Sequence, residues 1–321
     1  MKLLFILDAL ASLKSYKDTS LAIMREAAAR GHALYVCQQH DVFLRNESVK
    51  IHAFEFCFNE GDHNKNTSWY HLGKSQEILP KYFDAILMRK DPPFDNEYLY
   101  STYLLDLAAN QGARVINNPT SVRSWNEKLS VAKFPQFVPE FLVTANNNLI
   151  RDFLATHKDI VVKPLDGMGG SGIFRITESD PNIGVILETA TKFGTQTIMA
   201  QRYLPAILQG DKRIIVIDGE PLPYALARIP KAGETRGNLA VGGTGVAQPL
   251  TLRDLTIATS VGKTLKAEGL FLVGLDVIGD YLTEINVTSP TGMVEITAQT
   301  KNLDLPCKPA QTFVETLESI H

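Results

Sequence analysis

The sequence predicts a layered, mostly parallel α/β domain followed by an α+β region built from antiparallel hairpins. Three observations carry this reading. Strand- and helix-patterned segments alternate as far as Asn118. Later apolar runs fold back at the turn dipeptides Asp218-Gly219 and Gly279-Asp280. Four glycines between Gly167 and Gly172 separate two strand-like runs.

In chain order, "KLLFILDA" reads as a buried first strand; Asp8 breaks its apolar run and no small-residue cleavage site follows, so it does not read as a signal peptide. "DTSLAIMREAAARG" reads as a helix, with Asp18, Thr19 or Ser20 as cap, Leu21, Met24 and Ala28 on one face and Gly31 past its end. "ALYVC" and "FDAILMRK" are strands, "FDNEYLYSTYLLDLAANQG" a second amphipathic helix, and "ARVINN" a short strand. Residues 59–76 are polar and read as an irregular surface excursion, and "SVRSWNEKLSVAKF" (121–134) reads as helical. Beyond Pro139, "DIVVKPL" and "SGIFRIT" flank the glycine run, "TIMAQRYLP" is a further strand, and residues 212–229 and 270–290 form two hairpins. The chain is thus expected to divide into 1–122 and 123–321, the latter into 123–200 and 201–321.

Composition narrows the function. With 45% apolar and 21% charged residues, the chain is globular rather than disordered. A net charge of −3 gives no electrostatic case for nucleic acid or anionic membrane. No apolar run approaches the roughly 18–20 residues of a membrane span. Three cysteines without C-x-x-C spacing and seven scattered histidines suit a reducing, cytoplasmic setting and offer neither disulfides nor a zinc site.

The glycine run needs a cause, because each glycine inside a regular element costs roughly 0.5–1 kcal/mol relative to alanine. Gly167, Gly169 and Gly172 satisfy G-x-G-x-x-G, but the strand-like "IFRI" follows where a dinucleotide fold needs a helix. Ile173-Phe174 stand where a P-loop needs Lys-Ser/Thr, and "GKT" at Gly262–Thr264 lacks its first glycine, Ile257 being there. A long hairpin turn remains open. So does a lid whose N–H groups close over phosphate, with Lys163 as a point charge at the strand end.

At the other end of the chain, Asp276, Glu284 and Asn286 spell D-x₇-E-x-N across one hairpin. Glu284 and Asn286 share a strand face. A strict two-residue turn would set Asp276 opposite Thr283, whereas one bulge or a three-residue loop would set it opposite Glu284. Two acids and an amide are the oxygen ligands Mg²⁺ takes alongside substrate phosphates; an exposed polar hairpin face is the alternative.

Taken in order, "LMRKDPPFD" (87–95), "NEKL" (126–129), "KPLDGMGGSGIFR" (163–175), "AQRYLPA" (200–206), "GDKRIIVIDGEP" (210–221), "ARIPKAGETRGNLAVGG" (227–243) and "GLDVIGDYLTEINVTSPTG" (274–292) resemble bacterial glutathione synthetases of the ATP-grasp superfamily, over almost the whole chain. Asp8-Ala9 and Met293-Val294 depart from the family's usual residues. The resemblance implies an ATP-grasp fold behind the N-terminal parallel-sheet domain, with 123–200 as lid and 201–321 as catalytic subdomain. It implies ligation of γ-glutamylcysteine to glycine with ATP and Mg²⁺ (or Mn²⁺), through an acyl phosphate, by a homo-oligomer. Lys128 and Lys163 would bind ATP phosphates under a cover formed by Gly167, Gly169, Gly170 and Gly172. Gln201, Tyr203 and Leu204 would lie at the adenine and Asp211 at the ribose. Asp276, Glu284 and Asn286 would hold the metal, Asn286 also touching substrate. Arg89, Arg213, Arg228 and Arg236 would meet substrate carboxylates, where a planar guanidinium fork does what lysine cannot, with Arg213 and Arg236 serving catalysis. Arg236 lies in a glycine-rich stretch, 231–245, that reads as a second mobile loop. Another ATP-grasp carboxylate–amine ligase, or a nucleotide-binding regulatory module without chemistry, would share the lid and the acidic hairpin.

Overall fold

The computed structural model describes residues 1–59, 69–231, 233–234, 237 and 242–321. Its first sheet contains β1 (Lys2–Leu7), β2 (Ala33–Gln38), β3 (Val42–Arg45), β4 (Ser48–Phe58), β5 (Tyr70–Ile78), β6 (Ala85–Met88) and β7 (Val115–Ile116). Strands β2, β1, β6 and β7 run parallel in that spatial order, and β4 joins β2 antiparallel with β3 and β5 on it. Leu3 to Leu7 are at most 2% exposed, which accounts for an unbroken apolar run where a half-solvated strand would alternate. Helix α1 (Thr19–Ala29) starts on Asp18, whose carboxylate accepts from the Leu21 N–H at 2.8 Å. Helix α2 (Asn96–Asn110) is capped likewise by Asp95, and α3 (Pro119–Ser124) by Asn118.

Two expectations change here. Residues 70–78 are β5, an ordered edge strand on β4, rather than irregular chain; 60–68 lie outside the described residues. The 121–134 stretch is not one helix: α3 ends at Ser124, and the Asn126 side-chain Oδ1 accepts from the N–H groups of Lys128 and Leu129, starting a separate 3₁₀ turn at Leu129–Lys133. The side-chain acceptor competes with the backbone ladder at that point.

The second sheet has the order β10-β9-β11-β8, from β8 (Phe141–Thr144), β9 (Asp159–Pro164), β10 (Phe174–Thr177) and β11 (Ile198–Arg202). Helices α4 (Asn147–His157) and α5 (Ile183–Ala190) cover it, and Ile150, Ile160, Val162, Ile176, Leu187 and Ile198 form a core of its own. The third sheet has the order β14-β13-β12-β15-β16, from β12 (Asp211–Ile217), β13 (Glu220–Ile229), β14 (Thr244–Pro249), β15 (Leu272–Ile278) and β16 (Tyr281–Asn286). Helices α6 (Leu252–Ala267), α7 (Met293–Thr300) and α8 (Pro309–Ser319) complete the chain. The first and third sheets share two continuous cores; Leu21 and Met24 of α1, for example, pack in one cluster with Phe313 and Leu317 of α8. The second sheet has this core of its own beneath α4 and α5, while Met199 of β11 joins the shared core.

The structure also disposes of the rival glycine motifs. A strand, β10, follows the glycine run. The "GKT" lies within α6, where a Cβ on Gly262 would fall 2.1 Å from the Gly219 carbonyl oxygen. That glycine lets the helix pack on the β12–β13 turn.

Candidate active site

The acidic hairpin sets the site's geometry. Around Gly279-Asp280, Ile278 pairs with Tyr281 and Val277 with Leu282; the register then shifts, and Asp276 stands opposite Glu284. Of the arrangements the sequence left open, the bulge is the one present. The extra residue, Thr283, turns its hydroxyl to the Asp276 carbonyl at 3.1 Å. On β12, Asp211 and Arg213 are two apart and share a face; Arg213 pairs in register with Asp276, and Asp211 with Arg228 of β13. Two acids and two arginines thus meet on three neighbouring strands. Arg213 donates from Nε and Nη2 to the two Asp276 oxygens at 2.5 and 3.1 Å, a planar fork, while Arg228 Nη2 reaches Asp276 Oδ2 at 2.8 Å and also pairs with Asp211.

Electrostatics separate the two carboxyls. Burial pushes Asp276 upward, but Arg213 and Arg228 outweigh it and hold the group well below the ordinary carboxylate range. Asp211 is pushed up to about 7 by burial, with Asp276 and Glu284 adding to the effect against the opposing pull of Arg228. A carboxyl raised in the fold stabilises it fully below its unfolded value near 4. That contribution is lost as pH rises through about 7. The ligand-free protein is therefore expected to lose melting temperature between pH 4.5 and 7.5, with a shallower loss in Asp211→Asn. Equal slopes in the two proteins would contradict this.

Two lysines face the same hairpin. Lys163, at the end of β9, is buried with Nζ 3.5 Å from Glu284 Oε1 and 3.4 Å from the Thr283 carbonyl; burial lowers its pKa despite that carboxylate. Lys128 Nζ donates to the Gly167 carbonyl at 2.7 Å and lies 3.8 Å from Glu284. Glu284 therefore sits between two ammonium groups, one of which also grips the glycine run. Within that run Gly169, Gly170 and Gly172 have φ of +62°, +83° and +70°, a region that side-chain-bearing residues avoid. Gly167 is a glycine for another reason: a Cβ there would stand 2.6 Å from Pro164 Cγ and 3.2 Å from the Ser171 carbonyl. Gly167→Ala is expected to displace the Lys128 contact and raise the KM for ATP about tenfold with little change in melting; an unaltered KM would contradict it.

A cleft of about 290 Å³ is lined at once by Gly167, Gly169 and Gly170, by both lysines, and by Asp276, Glu284 and Asn286. Its volume is at the lower end of the roughly 300–1,000 Å³ typical of small-molecule sites. Gln201, Tyr203, Leu204, Asp211, Arg213 and Arg228 line it too. Gln201 Nε2 and Asp211 Oδ1 are buried without a hydrogen-bond partner, a donor and an acceptor in the cleft wall that a bound ligand would satisfy. The Tyr203 ring packs under Arg175, whose guanidinium carbon is 3.7 Å from the ring centre and which pairs with Asp159.

Three sequence-selected residues fall elsewhere. Gly172 closes the run without reaching the cleft wall, and Arg236 lies outside the described residues, as do 232, 235 and 238–241 of its loop. Arg89 stands behind the wall: Nε donates to Ser20 Oγ at 3.0 Å and Nη2 to the Pro290 carbonyl at 2.9 Å, while Ser289 Oγ donates to its carbonyl at 3.2 Å. It braces the segment 288–291. Conversely, Glu127 and Asp91 line the cleft and had not been singled out, although both lie in quoted motifs, one of them beside Lys128.

The donors suit a hard divalent cation. Asn286 gives its amide N–H to the Gly274 carbonyl at 3.1 Å, leaving its oxygen as the free acceptor, and Glu284 is more open than Asp276. Asp276 already serves two arginines: Oδ2 accepts from both, while Oδ1 has one donor and keeps a lone pair free. Among the described residues no cluster of three His, Cys, Asp or Glu side chains has metal-binding geometry, so an ion here would also draw on the amide and on substrate oxygens.

Comparison with known proteins fits this anatomy. The profile for the N-terminal domain of prokaryotic glutathione synthetase matches residues 1–123, and that for its ATP-grasp domain residues 127–301. The glutathione synthetase of Nitrosomonas europaea is 60% identical over 303 residues, covering 94% of this chain and 93% of that protein. That of Bordetella pertussis is 54% identical over 320 residues, 99% of each. Among solved structures, the D-cycloserine synthetase DcsG superposes with a TM-score of 0.66 at 15% identity, over 99% of this chain and 100% of that one, a likeness of fold alone. The ATP-grasp ligase PsnB, bound to precursor peptide and AMPPNP, gives 0.60 at 16% identity, over 99% and 97%. With both domains matched in order and end-to-end relatives above half identity, the chain belongs to the prokaryotic glutathione synthetase family, with the ATP-grasp fold.

Proposed function

We propose that this chain uses ATP to join the cysteinyl carboxylate of γ-glutamylcysteine to the amine of glycine, giving glutathione, ADP and phosphate. The observation that carries the reading is one cleft lined by a glycine lid, two lysines, an acidic hairpin, and Arg213 and Arg228 from the strands beside it. A carboxylate oxygen attacks the γ-phosphorus and ADP leaves. The amine nitrogen then attacks the acyl carbon of the acyl phosphate, and phosphate departs. No serine or cysteine nucleophile is needed, because the substrate supplies its own. The chain's task is to hold charges in place and keep water out.

In this reading Lys128 and Lys163 take the phosphates, with the 167–172 backbone over them. Gln201 Nε2 and Asp211 Oδ1 meet the base and the ribose, together with Tyr203 and Leu204. Arg213 and Arg228 face the charge that develops as the carboxylate attacks, and Arg236 closes from its loop. Asp276, Glu284 and Asn286 hold Mg²⁺ (or Mn²⁺), which when bound neutralises charge on the phosphate oxygens. The four-stranded sheet, which has a core of its own beside its contact with the shared one, carries the glycine run and serves as the lid.

Cys37, Cys57 and Cys307 are free thiols, which supports a reducing, cytoplasmic setting, and no described helix is long and apolar enough to cross a membrane. Tyr100, Tyr103 and Leu107, exposed at helical spacing on α2, offer a face for the homo-oligomer implied by the resemblance. The test of function is a mass-resolved product assay with Mg-ATP, γ-glutamylcysteine and glycine. Glutathione and ADP in equal amounts are expected; ADP release with other amino-acid pairs and not this one would overturn the reading.

A further inference from the structure

We propose that Glu127 holds the amine of the incoming amino acid, where a second cavity adjoins the nucleotide cleft; this rests on the ligase reading above. The second cavity, about 240 Å³, is walled by Phe94, Val122, Trp125 and Leu165, with Arg123, which pairs with Asp106, and Asp166 also in its lining. It shares Pro92, Glu127 and Thr288 with the main cleft, so Glu127 stands at the junction. The residue is fixed at two points. Its carbonyl accepts from the Ile285 N–H at 2.8 Å, between Glu284 and Asn286, and its Oε1 accepts from Thr288 Oγ1 at 2.8 Å.

Its charge is what sets it apart. Of the acids lining the cleft among the described residues, Asp211, Asp276 and Glu284 each lie against an arginine or lysine, and Asp91 is exposed. Glu127 is half-buried with no cation within ion-pair distance among the described residues. Burial pushes its pKa up and Glu284 adds to this, outweighing the Thr288 hydroxyl and the more distant charges of Lys128 and Arg213. A sheltered carboxylate with one hydroxyl partner is costly to keep charged unless a cation joins it. An amino acid arriving as its ammonium form is such a cation. The second cavity gives it a way to the acyl carbon that does not pass the phosphates.

The experiment compares two nucleophiles in wild-type protein and Glu127→Gln, with Mg-ATP and γ-glutamylcysteine. Glycine arrives as an ammonium ion and yields the peptide; hydroxylamine, largely unprotonated at neutral pH, yields the hydroxamate. Glutamine keeps the acceptor for Thr288 and removes the charge. The ratio of kcat/KM for glycine to that for hydroxylamine is expected to fall about 10–100-fold, the worth of a hydrogen bond to a charged partner. A ratio within threefold of wild type, including equal losses with both nucleophiles, overturns the assignment and leaves the ligase reading standing. Wild-type protein forming neither product overturns both. If Glu127→Gln does not fold, Glu127→Asp, which withdraws the charge by one methylene, is held to the same ratio.

Discussion

Arg213→Ala is expected to lower kcat by about 10²–10³-fold, the loss seen when one preorganised donor to a developing oxyanion is removed. The expectation rests on Arg213 lying at the cleft wall with its guanidinium fixed by Asp276, so that it is already oriented when negative charge moves from the carboxylate to the phosphoryl group. Nε and Nη2 are committed to Asp276, while Nη1 is only 3.5 Å from the Thr291 carbonyl, which makes Nη1 the donor free to turn to substrate. Arg213→Lys is expected to recover little, because an ammonium cannot hold the fork and reach substrate together. Steady-state kinetics decide it: a loss in kcat below threefold removes Arg213 from this role.

Asp276→Asn is expected to cost both activity and stability. Asp276 neutralises two buried guanidiniums, and leaving buried cations without their partner typically costs about 3–5 kcal/mol. The lower figure is expected, since Arg228 keeps Asp211. Denaturant unfolding should show that loss alongside a weakened metal requirement in turnover; unchanged stability would contradict the pairing. Because the two arginines hold Asp276 well below the ordinary carboxylate range, its ionised form stabilises the fold above the unfolded value near 4 and is lost only as pH falls below that range. Acidification from pH 7 to 5 therefore leaves this pair intact. The structure also revises what Glu284→Ala should do. From the hairpin pattern alone it would weaken metal dependence and leave melting unchanged. Placed between Lys163 and Lys128, Glu284 is also their counter-ion, so a lower melting temperature is expected as well.

Much of this was legible in the sequence where the signal is local. Glu284 and Asn286 share a face by strand period, and the D-x₇-E spacing allowed for one bulge, which Thr283 supplies. The glycine run announced an unusual backbone, and three of its members have positive φ. What failed depended on neighbours distant in sequence. In β5, "YHLGKSQEI" has no buried residue, because as an edge strand it owes its order to hydrogen bonds with β4 rather than to apolar alternation. Arg89, in a motif that reads as substrate-binding, also gives Nη2 to the Pro290 carbonyl, 201 residues on, a contact no local pattern shows. Its buried Nη1 has no partner among the described residues. Glu127 stood beside Lys128 in plain view; what marks it is the missing cation, and only packing reveals that.

The central claim is that the glycine lid and the acidic hairpin close on one triphosphate. A crystal structure with Mg²⁺ and a non-hydrolysable ATP analogue tests it most directly. The account predicts phosphate oxygens beneath Gly167–Gly172 and within reach of Lys128 and Lys163, with the metal bound by Glu284 and its hairpin neighbours Asp276 and Asn286. Triphosphate density outside this cleft, or a metal that touches none of the three, would contradict it.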